Sequence, residues 1–191
     1  GGFPNPLTFP LTELQVSAQK VFLNEGSSVL QYATTNGDLD LRRFISERYH
    51  VRQSIEIPAD QILITSGSQQ ALDYISKVFL EPGDTILMEE PSYLGAIQTF
   101  TSYEVDIQTV KLEEDGIDLV DLETKINHYN PKLIYLIPSF QNPSGISYSK
   151  ENRLAVAELL NKYDVILVED DPYNELYYEG CVQLPISTHI K

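Results

Sequence analysis

Basic residues are scarce in this chain. Against 28 Asp and Glu stand only 13 Lys and Arg, a formal net charge of −15. A nucleic-acid surface needs clustered Lys and Arg to meet phosphates, so the composition argues against nucleic acid as a partner. Acidity of this kind serves solubility. Cysteine is nearly absent as well: Cys181 stands alone. No internal disulfide can form, and a reducing, cytoplasmic setting is expected. No stretch approaches the ~18 apolar residues that span a bilayer. The first residues lack the basic-then-apolar pattern of a secretion signal. The three histidines, His50, His128 and His189, have no metal-ligand spacing, so no metal site is expected. Repeats and low-complexity linkers are missing too. The chain neither opens with Met nor closes on a tail-like composition, and both ends read as cut from something longer.

What remains is a globular composition. The chain has 191 residues, 42% of them hydrophobic, enough for one good-sized core. Residues 1–10, GGFPNPLTFP, read as an extended arm, and 11–31 as a helix. After a turn at Asn36-Gly37, a helix is expected with Leu41, Phe44, Ile45 and Tyr49 on one face. From residue 60 the pattern alternates. Short apolar strands are predicted at 61–67, 84–90, 104–112, 131–139 and 164–170. Helices are predicted at 68–80, 92–103, 118–129 and 149–163, with Asp118 as an N-cap. Alternation of near-continuous apolar strands with amphipathic helices predicts a three-layer α/β/α fold around a mostly parallel sheet. The division expected is an N-terminal arm with a small-domain segment, 1–30, and a large α/β domain, 31–191.

Ligands of such sheets bind beyond the carboxyl ends of the strands. Beyond the first predicted strand lies TSGSQQ. There Gly67 lets backbone approach a ligand closely, and Ser68 and Gln69 open a helix whose free N–H groups suit a phosphate. A plain helix-capping turn accounts for the same residues. Beyond the second lies EEPSYLGA, where the Tyr93 ring is placed to lie against a flat ligand, or to fill the core. Beyond the fourth lies PSFQNPSG. Asn142 precedes a proline that disfavours the helical region, and its amide both donates and accepts. Beyond the last lies EDDPY. A carboxylate at the mouth of an apolar strand is costly unless paired. For Glu169 and Asp171 the simplest role is capping a turn. For Asp170 a cationic ring nitrogen is the expected partner, with Tyr173 reaching a neighbouring ring oxygen. Four separate signals at four strand ends describe a flat, phosphorylated, pyridine-like ligand: pyridoxal 5′-phosphate.

The ordered set GGFPNPLTFP, QYATTNGDLDLRRFI, TSGSQQALD, EEPSYLGA, QNPSG and VEDDPYNEL resembles the fold-type I pyridoxal-phosphate aminotransferases, class I/II. Within them it resembles the branch with 2-aminoadipate and kynurenine aminotransferases. The resemblance implies that Ser68 and Gln69 hold the phosphate and that Tyr93 stacks on the pyridine. It implies that Asn142 and Tyr173 bond the ring oxygen and that Asp170 keeps the ring nitrogen protonated, so that the ring serves as an electron sink. Tyr32 is expected to reach the phosphate in a neighbouring subunit, because these enzymes are homodimers with shared sites. Gly2 is expected to line the pocket for the amino-acid carboxylate, with Asn142 beside it. The implied reaction moves an amino group between an amino acid and a 2-oxo acid.

The family also requires a lysine that bonds the cofactor, in a Ser-x-Ser-Lys-like context some thirty residues past Asp-x-x-Tyr. None of the eight lysines, at 20, 77, 111, 125, 132, 150, 162 and 191, has that context. The arginine for the substrate carboxylate belongs to a later domain. The chain thus reads as the N-terminal half of an aminotransferase, inactive by itself. Two other readings stay open. One is the aminotransferase-like effector domain of a winged-helix transcriptional regulator, and the other is a fold-type I lyase or decarboxylase.

Overall fold

Apolar runs without polar interruption predict strands covered on both faces. The structure, a computed structural model that describes residues 4–180 and 182–190, gathers them into one sheet. Its strands are β1 (Thr85–Glu90), β2 (Asp106–Glu113), β3 (Gly116–Ile117), β4 (Leu133–Leu136) and β5 (Ile166–Glu169). They lie in the order β3-β2-β1-β4-β5. β1 runs parallel to β2 and β4, and β4 runs parallel to β5. Only the two-residue β3 is antiparallel, against β2.

Parallel neighbours need crossover connections, and helices supply them. α3 (Ser68–Phe79) leads into β1, and α4 (Leu94–Thr101) joins β1 to β2. α5 (Leu119–Tyr129) leads to β4, and α6 (Lys150–Leu160) joins β4 to β5. Side chains alternate across the sheet. Leu87, Ile134 and Leu136 pack with Leu122 and Ile126 of α5 and Val156 and Leu160 of α6. Ile86, Met88, Leu133 and Tyr135 pack on the other face with Leu72 of α3 and Ala96 and Phe100 of α4. Each fully buried aliphatic side chain contributes about 1.5–3 kcal/mol. The expected three layers are present. Asp118 caps α5 as expected, its Oδ1 accepting from Val120 N at 2.9 Å and Asp121 N at 3.0 Å.

Two local expectations need correction, and one short strand is an addition to them. Residues 62–65 form no strand. A strand needs a hydrogen-bonded neighbour, and here Ile64 N only reaches Asn36 O in a turn, at 3.0 Å, while Leu63 stays exposed. β3 was not anticipated, because two residues carry no periodicity. In α2 (Leu39–Gln53) the face expected to be inward is half right. Ile45 and Tyr49 are partly buried, but Leu41 and Phe44 are exposed. The residue α2 does bury is Arg42, which donates to Gly37 O and Ala59 O and so ties the Asn36-Gly37 turn to the chain beyond the helix.

α1 (Leu11–Glu25) buries nothing, and leaves Leu14, Val21 and Phe22 about half exposed or more. No helix among the described residues is long and apolar enough to cross a membrane.

Candidate active site

β1, β4 and β5 end at one edge of the sheet, and beside that edge α3 begins. The chain therefore brings Tyr93, Asn142, Asp170 and Tyr173 to one place, although they span 80 residues of sequence. Together with Ser68, Ile137 and Pro172 they line a cavity of about 110 Å³. Larger hollows exist. One of about 270 Å³ lies between α2 and the segment after β5, but none of Ser68, Tyr93, Asn142, Asp170 and Tyr173 lines it.

Ser68 is the first residue of α3. Gly67 precedes it with φ +84° and ψ 173°, and no side chain caps the helix. The first-turn N–H groups are thus left to a ligand or to water. Tyr93 immediately precedes α4 in extended conformation. Its ring lies over Gly95, where a Cβ would come within 2.6 Å of the ring's far end. Asn142 follows the buried Gln141 and is joined to Pro143 by a cis peptide.

Asp170 is fixed by β4 at two points. Its N–H donates to Leu136 O at 2.9 Å, and its Oδ2 accepts from the Tyr135 hydroxyl at 2.6 Å. The neighbouring acids separate from it. Glu169 caps the short 3-10 helix Ile186–His189, accepting from Ile186 N at 2.8 Å and Ser187 N at 3.1 Å. Asp171 makes no such cap: its buried Oδ1 has no hydrogen-bond partner among the described residues.

Two expected site residues sit apart from the cavity. The Gln69 carboxamide lies against α4, its Oε1 accepting from Thr99 Oγ1 at 3.0 Å, so only the backbone of Gln69 belongs to the open helix start. Tyr32 is fully exposed and makes no part of the cavity lining. Gly2 lies outside the described residues. None of the described lysines lines the cavity.

The family profile for class I and II aminotransferases matches residues 5–190. The chain belongs to that family. It is 41% identical to the 2-aminoadipate transaminase of Thermus thermophilus, over 97% of this chain and 45% of that protein. The kynurenine aminotransferase of Pyrococcus horikoshii, solved in complex with PMP, superposes with a TM-score of 0.92 at 38% identity, over 100% of this chain and 48% of that one. An uncharacterised HTH-type transcriptional regulator of Escherichia coli, YdcR, is 34% identical over 96% of this chain and 39% of that protein. The chain spans about half the length of the relatives it matches.

Behind this cavity lies a buried polar hub that the strand ends did not announce. Glu89, near the end of β1, is 1% exposed. Its carboxylate accepts from Ile137 N at 3.0 Å, Tyr148 Oη at 2.6 Å and Gln141 Nε2 at 3.1 Å. Gln141 also donates to Pro91 O at 2.7 Å, and its Oε1 accepts from the backbone and hydroxyl of Ser144. One carboxylate thus joins the strand leading to Tyr93, the end of β4 and the turn that holds Asn142. Burial pushes the Glu89 pKa upward against these donors. Burial and the Glu89 charge push Tyr148 well up. The signal was available: Glu89 closes an apolar strand just as Asp170 does.

Proposed function

We propose that this chain forms the cofactor-binding half of a pyridoxal-phosphate-dependent aminotransferase, which moves an amino group between an amino acid and a 2-oxo acid. The observation that carries this reading is the single cavity lined by Ser68, Tyr93, Asn142, Asp170 and Tyr173. Its donor set suits the cofactor group by group. The uncapped start of α3, with Ser68 and the backbone of Gln69, offers N–H and O–H donors and a positive dipole end for the phosphate. Asp170, with one oxygen held by Tyr135 and the residue lining the cavity, offers its carboxylate to the ring nitrogen. Asn142 and Tyr173 supply hydrogen bonds for the ring oxygen, and Tyr93 supplies an aromatic face that excludes water.

Bound there, pyridoxal phosphate supplies an electron sink for the bonds at the substrate Cα. Asp170 keeps a proton at the ring nitrogen, and Asn142 and Tyr173 orient the ring. The lysine that bonds the cofactor and moves the Cα proton, and the arginine for the substrate carboxylate, are assigned to sequence that this chain does not contain. The division into an arm, 1–30, and a cofactor-binding domain, 31–191, belongs to the same reading, as does a cytoplasmic setting. So does a homodimer. The fully exposed Tyr32 and the unburied apolar residues of α1 support it, with Tyr32 and Gly2 serving sites in that assembly.

The likeness to YdcR keeps a regulatory role as the second reading. The test is an amino-donor screen on the whole protein, loaded with pyridoxal phosphate and 2-oxoglutarate, with glutamate formation as the readout. Transfer from 2-aminoadipate, kynurenine or another amino acid supports the enzyme. Cofactor binding without transfer from any donor, together with sequence-specific DNA binding, would replace it with the regulator.

A further inference from the structure

We propose that Tyr135 is a positioning residue for Asp170: its buried hydroxyl selects which carboxylate oxygen is left to face the cofactor ring nitrogen. The proposal rests on the cofactor reading above. Tyr135 lies on β4 at 0% exposure. Its partner across the β4–β5 ladder is Val168. Asp170, two residues on, therefore points to the same face of the sheet. There the hydroxyl donates to Oδ2 at 2.6 Å, while among the described residues Oδ1 accepts no hydrogen bond.

The terminal torsion of a free aspartate is broad, so an untethered carboxylate presents either oxygen. A hydrogen bond to one oxygen removes that freedom. The tether is itself rigid. The Tyr135 ring stands edge-on to Phe100, with centroids 5.8 Å apart and planes at 71°. The Asp170 N–H is held by Leu136 O. Burial first, and the Asp170 charge next, push the Tyr135 pKa far above the ordinary tyrosine value. The hydroxyl consequently remains a donor over the whole range in which a protein stays folded. A site group must be held within about 0.5 Å to be useful, and both tethers of Asp170 come from one strand, β4.

The test uses the whole protein loaded with pyridoxamine 5′-phosphate carrying ¹⁵N at the ring nitrogen. Affinity and the ¹⁵N chemical shift are measured for wild type, Tyr135→Phe, Phe100→Leu and Asp170→Asn. Tyr135→Phe keeps the ring and its contact with Phe100. It should weaken binding about tenfold and move the resonance toward the unprotonated position. Phe100→Leu should lower stability yet leave the resonance in place. If Tyr135→Phe matches wild type in both readouts while Asp170→Asn moves the resonance, the positioning role is wrong and the cofactor reading stands. A resonance moved as far by Phe100→Leu as by Tyr135→Phe also overturns it, since packing and not the hydroxyl would then be responsible. If wild type binds no pyridoxamine phosphate, or Asp170→Asn leaves the resonance unmoved, the cofactor reading itself fails.

Discussion

Gly95 lies directly beneath the ring of Tyr93. A Cβ at Gly95 would stand 2.6 Å from both Cζ and Oη of that ring, closer than real Cβ contacts come. The glycine is the second residue of α4, in its first turn, where alanine would otherwise be preferred by up to about 1 kcal/mol. Keeping glycine there costs helix propensity and leaves room for the ring at the cavity. Gly95→Ala should therefore change overall stability little, while pushing Tyr93 aside and weakening pyridoxamine phosphate binding. A double-mutant cycle separates the two effects. In a Tyr93→Ala background, Gly95→Ala should become stabilising by up to about 1 kcal/mol. An equal effect in both backgrounds would show that the ring is not what Gly95 accommodates.

The buried Glu89 hub makes two predictions of stability. Glu89→Ala leaves Ile137 N, Tyr148 Oη and one N–H of Gln141 without an acceptor. At about 1–3 kcal/mol for each buried unpaired group, the loss should reach at least about 3 kcal/mol. The pH dependence has a definite sign. Burial raises the native pKa of Glu89 above the ordinary 4.5, so the native state holds this proton more tightly than the unfolded chain does. The stability it contributes is complete below the unfolded pKa and is lost as pH rises through the raised native value. Glu89→Gln keeps an acceptor but cannot ionise. Its stability relative to wild type should thus improve as pH rises above 4.5, read as a difference in Tm across a pH series. A difference that stays constant with pH would mean that Glu89 does not titrate in this window.

The layers of this fold were legible because their causes are local. Leu133–Leu136 are four apolar residues buried on both faces, and such a run announces a central strand whatever surrounds it. The helix start at Ser68 and the Asp118 cap follow from one or two residues each. The gathering of Tyr93, Asn142, Asp170 and Tyr173 in one cavity was legible for a related reason: they follow β1, β4 and β5, and parallel sheets bring strand ends together, whereas Ser68 joins them from the start of α3 with no strand before it. What was not legible depends on partners remote in sequence. Residues 62–65 are apolar enough for a strand, but pairing is decided by a neighbour, and none of the described strands lies alongside. Tyr135 and Arg153 gave no sign of their roles, since a tyrosine within a strand and an arginine on a helix are commonplace until the fold shows what they touch.

Arg153 is one of these, 2% exposed on α6. Its guanidinium donates to Tyr148 O at 3.2 Å, to Pro138 O at 2.7 Å and to Ser139 Oγ at 3.1 Å. It also stands 3.9 Å from Glu169. It therefore clamps both ends of the 138–148 segment that holds Asn142. Arg153→Met removes the cation but leaves the carbonyls and Glu169 in place, and should cost about 3–5 kcal/mol in urea unfolding. A lysine has no planar fork to span acceptors at both ends of this segment, so Arg153→Lys should recover little of the loss. Full recovery by lysine would mean that a point charge near Glu169 is all the site requires.

Gly67 offers the opposite case to Gly95. A Cβ at Gly67 would meet nothing within 4 Å, so space does not require glycine there. Its backbone does. With φ +84° and ψ 173°, Gly67 occupies a region that side-chain-bearing L-residues enter at a cost of about 1–3 kcal/mol. That conformation sets the direction from which the chain enters α3, and so where Ser68 and the first N–H groups point. Gly67→Ala should lose stability within this range and lose phosphate affinity with it, because relaxing the strain turns the helix start away from the cavity. A D-alanine at the same position, introduced by semisynthesis, accepts positive φ without that strain. It should restore both stability and pyridoxamine phosphate binding to near the glycine level. If D-alanine is as damaging as L-alanine, backbone handedness is not the constraint, and Gly67 is needed for the close approach of a ligand instead.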